Sequence, residues 1–451
     1  MSDITGAAAS VAAAPAGGAG PGHDLPIVIV GAGQAGARAA AALRERGCTA
    51  PIWLCGSEVH APYERPPLSK AALAGDLAEG GMDVLPPAHY ADIHITLRLN
   101  DAVVALDAAA RSLRFASGLT QRFSACLLAT GGHARELPAW PRGTPQVHYL
   151  RTRDDVDALR AATAAAGDAA GEGVVVLGGG FLGLEIASTL RAAGRAVTLV
   201  EGAPRLLQRA LPPQASDWLA AQVRAAGVEL WLGQAVESVN ASAGRVRLTF
   251  TNGERLIGTH LVVAIGLVPE VSLAQAAGLD IHPVNGGIRI DAHGATSAPN
   301  VYAAGDCTSQ FNGFFGQELR QESWQNANQQ AAAAAAAMAG QPPPLPDVPW
   351  FWTDQFGWNI QMYGAYEPGL DYVLRGDAPL PGAPARFLLV GAREGVLRHA
   401  VAINAGGELR QLKALFASQQ PCDSSALGDM AQPLKKVVRS LLQAQAALQP
   451  A

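Results

Sequence analysis

The chain lacks a basic field. Its 33 Lys and Arg stand against 38 Asp and Glu, a net charge of −5. Binding driven by neutralising nucleic-acid phosphates is therefore excluded, and no polybasic run is present to hold an anionic membrane. No stretch of about 18 strongly apolar residues occurs, so no membrane-spanning helix is expected. Cysteine is sparse: Cys48, Cys55, Cys126, Cys307 and Cys422 form neither a CxxC pair nor a zinc-spaced set, and their odd number argues against a secreted disulfide framework. Ten histidines, among them His133, His148 and His260, form no ligand-spaced cluster, so no metal is expected. Residues 1–24 have almost no large apolar side chains and are read as a disordered tail. They also lack the basic and apolar regions of a secretory signal, so the expected location is the cytoplasm.

What is present is glycine in meaningful places. The chain has 451 residues, enough for about three domains. Half of it is apolar, much of that alanine. Ile27 to Val30 is a short apolar run that reads as a buried parallel strand. Gly31-Ala-Gly33-Gln34-Ala35-Gly36 follows as a turn, Ala37 to Arg46 as a helix, and Pro51 to Cys55 as a second strand ending beside Ser57 and Glu58. The same grammar returns 147 residues later. Val174 to Leu177 is the strand, Gly178-Gly-Gly180-Phe181-Leu182-Gly183 the turn, Leu184 to Ala193 the helix, and Val197 to Val200 the next strand, ending at Glu201. Further strand-like runs end in glycine: Cys126 to Gly131, Leu261 to Gly266, and Val301 to Gly305-Asp306. A helix is expected at about 318–339, then a proline linker. Beyond it Asn359 to Tyr366, Arg386 to Val390 and Val396 to Ile403 alternate as in an antiparallel sheet, followed by a polar helix near 432–447.

A lone GxGxxG carries little weight. Here both copies follow a strand, open a helix and have an acid near the end of the next strand, which is the context a dinucleotide site needs. The first two glycines allow the tight turn and close approach to a pyrophosphate, and the third lets helix and strand pack. The helix N-terminus then faces the phosphates. Two such sites suggest two cofactors that exchange electrons, most commonly a resident flavin and an exchangeable nicotinamide. Glu201 is placed to accept from an adenine-ribose 2′-hydroxyl and to repel a 2′-phosphate, which favours NADH over NADPH. Arg205 and Arg209 lie near enough in sequence to soften that preference.

Several segments together resemble one family. They are Tyr63-Glu-Arg65-Pro-Pro-Leu-Ser-Lys70, Thr130-Gly131-Gly, Tyr149-Leu-Arg151-Thr, Gly178 to Glu185, Ala304-Gly305-Asp306-Cys, Glu322-Ser323-Trp324 and Pro349-Trp-Phe-Trp-Thr-Asp354-Gln355. The chain is similar over about 27–440 to FAD-dependent ferredoxin reductases, the reductase components of aromatic-ring-hydroxylating dioxygenases. Putidaredoxin reductase, rubredoxin reductase and apoptosis-inducing factor are more distant members.

The resemblance implies roles. Lys70 lies near the flavin N5 and pairs with Glu185 from the nicotinamide domain. Arg65 and Arg151 contact the pyrophosphate or adenine end of FAD. Asp306 bonds the ribityl chain, Val103 lines the adenine pocket, and Trp324 sits against the isoalloxazine. Gln34, Ala35, Thr130, Gly131, Gly305, Glu322 and Ser323 complete the FAD site. Phe181, Leu182, Arg209, Ile265 and Gly266 join the second turn and Glu201 at the NAD site. One departure is visible: 13 residues before Lys70, where relatives carry an acid for the FAD ribose, stands Ser57, with Glu58 next. Either Glu58 moves in by one position or Ser57 makes a neutral bond; Glu58 is the preferred acceptor.

Flavin disulfide reductases share the two-site layout but carry a redox cysteine pair on the helix after the first unit. This chain has Pro66-Pro67-Leu68-Ser69 there, so a dithiol relay is not expected. The expected fold is α/β. An FAD domain (25–138 and 268–338) is interrupted by an NAD domain (139–267) and followed by a C-terminal antiparallel-sheet domain (339–451). The expected reaction carries electrons from NADH through FAD to a [2Fe–2S] ferredoxin that feeds a terminal Rieske-type oxygenase. Alternatives are a reductase for a P450 ferredoxin or rubredoxin, and an NADH-sensing interaction flavoprotein resembling apoptosis-inducing factor.

Overall fold

The computed structural model describes residues 25–165, 173–242, 244–380, 383 and 385–447. The expected disordered tail at 1–24 lies outside the described residues.

Each glycine-rich turn leaves the middle strand of a five-stranded parallel sheet. In the first sheet the order is Val301–Ala303, Ala125–Leu128, Ile27–Val30, Ile52–Cys55, Ile95–Arg98. In the second it is Glu229–Leu232, Val197–Glu201, Val174–Leu177, His260–Val263, Val147–Tyr149. The central strands IVIV and VVVL are buried along their whole length, as a sheet covered on both faces requires. In both sheets the strand order reverses beside the central strand. A crevice therefore opens at its carboxyl end, where the turn sits.

The alanine content finds its use in helix packing. Gln34–Glu45 buries Ala35, Gly36, Ala37 and Ala39 to Leu43, and it packs against Trp324–Met338, which buries Ala327, Ala331 and Ala333 to Ala336. Small side chains let these two helices approach closely over the first sheet. The second of them starts later than the 318–339 reading. Gln317–Leu319 is a strand, and Ser323 caps the helix by accepting from the Asn326 N–H at 3.1 Å.

The last lobe is an antiparallel sheet in the order Trp350–Gln355, Trp358–Gly364, Val396–Ile403, Phe387–Arg393, Asp371–Gly376. The helix Leu434–Ala447 buries Leu434, Val437, Val438 and Leu441 against it. Two of these strands, Trp350–Gln355 and Asp371–Gly376, were not expected from alternation. The first carries three aromatic residues in succession and packs against the helix Phe181–Ala192 of the second lobe. Trp218 fixes the same junction, edge-on to Trp358 at 5.0 Å and to Phe387 at 5.6 Å.

One buried histidine, His399, and one half-buried, His148, make the fold acid-sensitive. Burial pushes His399 down to about 3, with Tyr372 Oη 2.7 Å from its Nδ1. Burial, and then His260 at 3.0 Å, push His148 down to about 4. In the unfolded chain both titrate near 6.5. Below that pH the unfolded state binds more protons, so stability present above pH 6.5 is lost as the pH falls towards the folded values. The melting temperature should fall across this window, and it should fall less steeply in His399→Asn. Equal slopes in calorimetric scans of the two proteins would refute this.

Candidate functional site

The two crevices are one. A cleft of about 1250 Å³ runs from the first glycine turn to the second and is lined by all three lobes.

The first turn is dictated by what cannot fit. Gly31 has φ +114°, and a Cβ there would lie 2.1 Å from Ala129 O. A Cβ on Gly36 would lie 2.0 Å from Gly31 O. The second copy repeats this: Gly178 has φ +115°, and Cβ atoms on Gly178 and Gly183 would lie 2.3 Å from Ala264 O and 1.9 Å from Gly178 O. Gly36 and Gly183 are therefore packing residues behind the turns and do not line the cleft. Gly33 and Gly180 cap the two helices with no side-chain cap bond, and nothing lies within 4 Å of a Cβ built on either. Their helix N–H groups face open space, the arrangement that receives a phosphate.

Other features of the first half fit a dinucleotide. Gln34 donates to Asn328 Oδ1 at 2.9 Å while its own Oε1 is buried without a partner. Two arginines meet beside the turn. Arg65 Nη1 donates to Arg151 O at 2.5 Å, and Arg151 Nη2 donates to Asp306 Oδ2 at 3.2 Å. Burial, and then the neighbouring Arg65 charge, hold Arg151 below the usual guanidinium range. Two partly buried cations in one place favour a polyanion. Ala35, Thr130, Gly131, Gly305, Glu322, Ser323 and Trp324 line the same half. Trp324 donates to Glu64 Oε1 at 3.1 Å and stands edge-on to Trp352 at 5.9 Å.

Register explains the departure at Ser57. Gly31 N–H donates to Cys55 O and Gly178 N–H donates to Val200 O, both at 2.8 Å. The position matching Glu201 is thus Gly56, whose missing Cβ would meet Ala32 Cβ at 2.8 Å. Ser57 and Glu58 lie one and two residues further on, and both line the cleft. The Glu58 carboxylate is already engaged, by Tyr63 Oη at 2.5 Å and Arg65 Nη2 at 2.9 Å. Val103 does not line the cleft. It sits on the strand Val103–Asp107 of a separate antiparallel sheet, packed against the core behind the first parallel sheet.

In the second half, Glu201 ends its strand opposite the turn. It accepts Gly179 N–H at 2.6 Å on one oxygen and Ala203 N–H at 2.7 Å on the other. Leu182, Arg209, Ile265 and Gly266 line this half, and Phe181 lies 4.4 Å from Phe351 of the last lobe, ring to ring. Arg205 is drawn away from the carboxylate, donating to Leu211 O at 3.3 Å with its guanidinium 6.0 Å over the Tyr366 ring.

Between the halves, Lys70 Nζ lies 2.7 Å from Glu185 Oε1. Glu185 is 8% exposed. Its Oε2 accepts from Ser69 Oγ at 2.5 Å and its Oε1 from Thr353 Oγ1 at 2.6 Å. Tyr63, Ser69 and Thr353 were present in the quoted motifs without a role. Their partners lie on distant segments, so no local spacing could have assigned one.

The chain matches the family model described as pyridine nucleotide-disulphide oxidoreductase over residues 25–331, and a reductase C-terminal model over 350–438. It is 39% identical over 410 residues to the anthranilate 1,2-dioxygenase system ferredoxin–NAD(+) reductase component of Burkholderia cepacia, covering 91% of this chain and 98% of that one. It is 37% identical to the 3-phenylpropionate/cinnamic acid dioxygenase ferredoxin–NAD(+) reductase component of Photorhabdus laumondii, covering 88% and 97%. The reductase in a crystal structure of the covalent putidaredoxin reductase–putidaredoxin complex matches with a TM-score of 0.86 at 32% identity, covering 93% and 100%. The disulphide in the family description has no counterpart here. All five cysteines are free, a 3-10 turn Pro66–Ser69 follows the first unit, and burial pushes the thiols of Cys55, Cys126 and Cys307 upward, away from the reactive thiolate. Within the pyridine nucleotide-disulphide oxidoreductases, the chain therefore belongs to the FAD-dependent ferredoxin reductases, oxidoreductases that use FAD and NAD(H).

Proposed function

We propose that residues 25–138 and 268–338 hold FAD, that residues 139–267 hold NADH, and that the C-terminal lobe closes the cleft. Electrons pass to a [2Fe–2S] ferredoxin that feeds a Rieske-type aromatic-ring oxygenase in the cytoplasm. The observation that carries this reading is the single cleft joining two glycine turns, with the Lys70–Glu185 pair between them. Held by these residues, FAD would supply the chemistry of taking up a hydride and giving up electrons one at a time.

The chain's own residues bind, orient and tune. Helix N-termini at Gly33 and Gly180, with Arg65 and Arg151, receive the pyrophosphates. Ser57 and Glu58 face the FAD ribose, and Glu58, held by Arg65 and Tyr63 as Glu201 is held by the Gly179 and Ala203 N–H groups, keeps lone pairs to accept from it. Glu201 selects NADH. Lys70 holds positive charge where electron density arrives, and Glu185 keeps that ammonium in place. Trp324, Phe351 and Trp352 exclude water from the same region.

Anaerobic mixing with NADH should bleach the flavin, and cytochrome c should then be reduced only when a [2Fe–2S] ferredoxin is added. Reduced protein that ignores iron–sulfur partners would refute the reading. One rival, a reductase for a P450 ferredoxin, is separated by relative rate in the same assay.

Glu201→Ala tests the nicotinamide side. It removes the ribose acceptor and leaves the Gly179 and Ala203 N–H groups unpaired. KM for NADH should rise by about tenfold or more, with FAD content unchanged. An unchanged KM would displace Glu201 from the site.

A further inference from the structure

We propose that Thr353, on the C-terminal sheet, is a positioning residue for hydride transfer. It fixes the Glu185 carboxylate, and through it Lys70. The proposal rests on the functional reading above, which leaves the C-terminal lobe only the task of closing the cleft.

The helix Phe181–Ala192 is bolted to both other lobes along one face. Glu185, Ser188 and Thr189 stand at i, i+3 and i+4, the spacing that aligns side chains on a helix. Thr189 Oγ1 donates to Ser69 O at 2.7 Å. Ser188 Oγ accepts the Phe356 N–H at 2.7 Å. Glu185 takes Lys70 and Ser69 from the first lobe and Thr353 from the last. Three lobes thus meet at one buried carboxylate.

Thr353 is wholly buried and does not line the cleft, so it touches neither cofactor. Its hydroxyl bonds Oε1, the same oxygen that pairs with Lys70, while Ser69 holds Oε2. The short, backbone-anchored hydroxyls of Thr353 and Ser69, one on each oxygen, prevent the carboxylate from turning about its otherwise soft terminal torsion, whereas Lys70 reaches Oε1 on a long flexible stem that cannot by itself fix it. With the hydroxyl gone, Oε1 keeps only Lys70, the carboxylate swings, and the ammonium is no longer held at one point. The backbone explains why the hydroxyl arrives there. Thr353 faces inward between Trp352 and Asp354 on a strand whose alternate side chains point to opposite faces.

The test compares Thr353→Val, which keeps the shape, with Thr353→Ser, which keeps the hydroxyl. The chain has only four lysines, Lys70, Lys413, Lys435 and Lys436, so the remote three calibrate trace acetylation of Lys70 in the holoenzyme, read by mass spectrometry. Lys70 should label faster in Thr353→Val, as in Glu185→Gln, and return to the wild-type rate in Thr353→Ser. Flavin reduction at saturating NADH should slow about tenfold in Thr353→Val with KM little changed. In a Glu185→Gln background the same substitution should add nothing to either readout. Unaltered Lys70 labelling, an effect that persists without Glu185, or a Thr353→Ser variant that fails to restore would each overturn the proposal. Wild-type flavin that NADH does not bleach would instead overturn the functional reading.

Discussion

Gly36→Val should yield protein without flavin, and Gly183→Val should yield yellow protein blind to NADH. A Cβ at Gly36 would lie 2.0 Å from Gly31 O and 3.2 Å from Leu54 Cδ1. Neither neighbour can yield. Gly31 is locked by its own positive φ and by Ala129 O, and Leu54 is buried in the sheet. The helix Gln34–Glu45 must lift from the turn, which moves its N-terminal N–H groups away from a pyrophosphate. Overpacking of this kind costs about 1–3 kcal/mol, and losing the anion site costs further binding energy. FAD content should fall below about a tenth of wild type. Gly36→Ala imposes the same contact with less bulk and covers the case in which valine prevents folding. Gly183→Val applies the same clash, at 1.9 Å from Gly178 O, to the other turn. Its FAD absorbance should persist while KM for NADH rises at least about a hundredfold. The split is the decisive result, because it assigns one turn to each cofactor. If both variants lose FAD equally, or if the effects are exchanged, that assignment fails.

What the sequence made legible follows from local rules. Both glycine turns, their strands and their helices are fixed within about twenty residues of chain, where strand, turn and helix signals adjoin. The alanine run after Trp324 was equally plain, but its start was not, because Gln317–Leu319 is set by pairing with Thr308–Asn312. The strand Trp350–Gln355 was hidden for a similar reason. Its aromatic run is amphipathic only in relation to the helix Phe181–Ala192, which lies far away in sequence. Val103 shows the limit of reasoning by likeness, since its side chain packs behind the sheet and away from the cleft. Counting back from Lys70 reaches Ser57 and Glu58, but only the fold shows that Arg65 and Tyr63, seven and five residues on from Glu58, turn back to hold its carboxylate. The bonds of Thr353 and Ser69 to Glu185 span 168 and 116 residues, and nothing in either segment announces them.

Lys70→Met should slow reduction of the flavin by NADH about a hundredfold, and adding Glu185→Gln should restore part of the loss. Two effects combine in the single variant. The cation that favours electron density on the flavin is gone. The Glu185 carboxylate, with its side chain 10% exposed, also keeps its charge beside the reacting centre with only Ser69 and Thr353 as donors. An uncompensated buried charge of this kind costs about 3–5 kcal/mol, so the single variant should also melt earlier. Neutralising Glu185 removes the second effect and leaves the first. The double variant should therefore be both more stable than Lys70→Met and about tenfold faster in stopped-flow loss of the flavin's visible absorbance. The opposite order, with the double variant slower than the single, would mean that Glu185 acts on the nicotinamide directly and not by holding Lys70. The pair would then have to be divided into two independent contributions. The sign of that one difference decides between them, because only a carboxylate whose role is to hold the ammonium becomes a liability once the ammonium is gone.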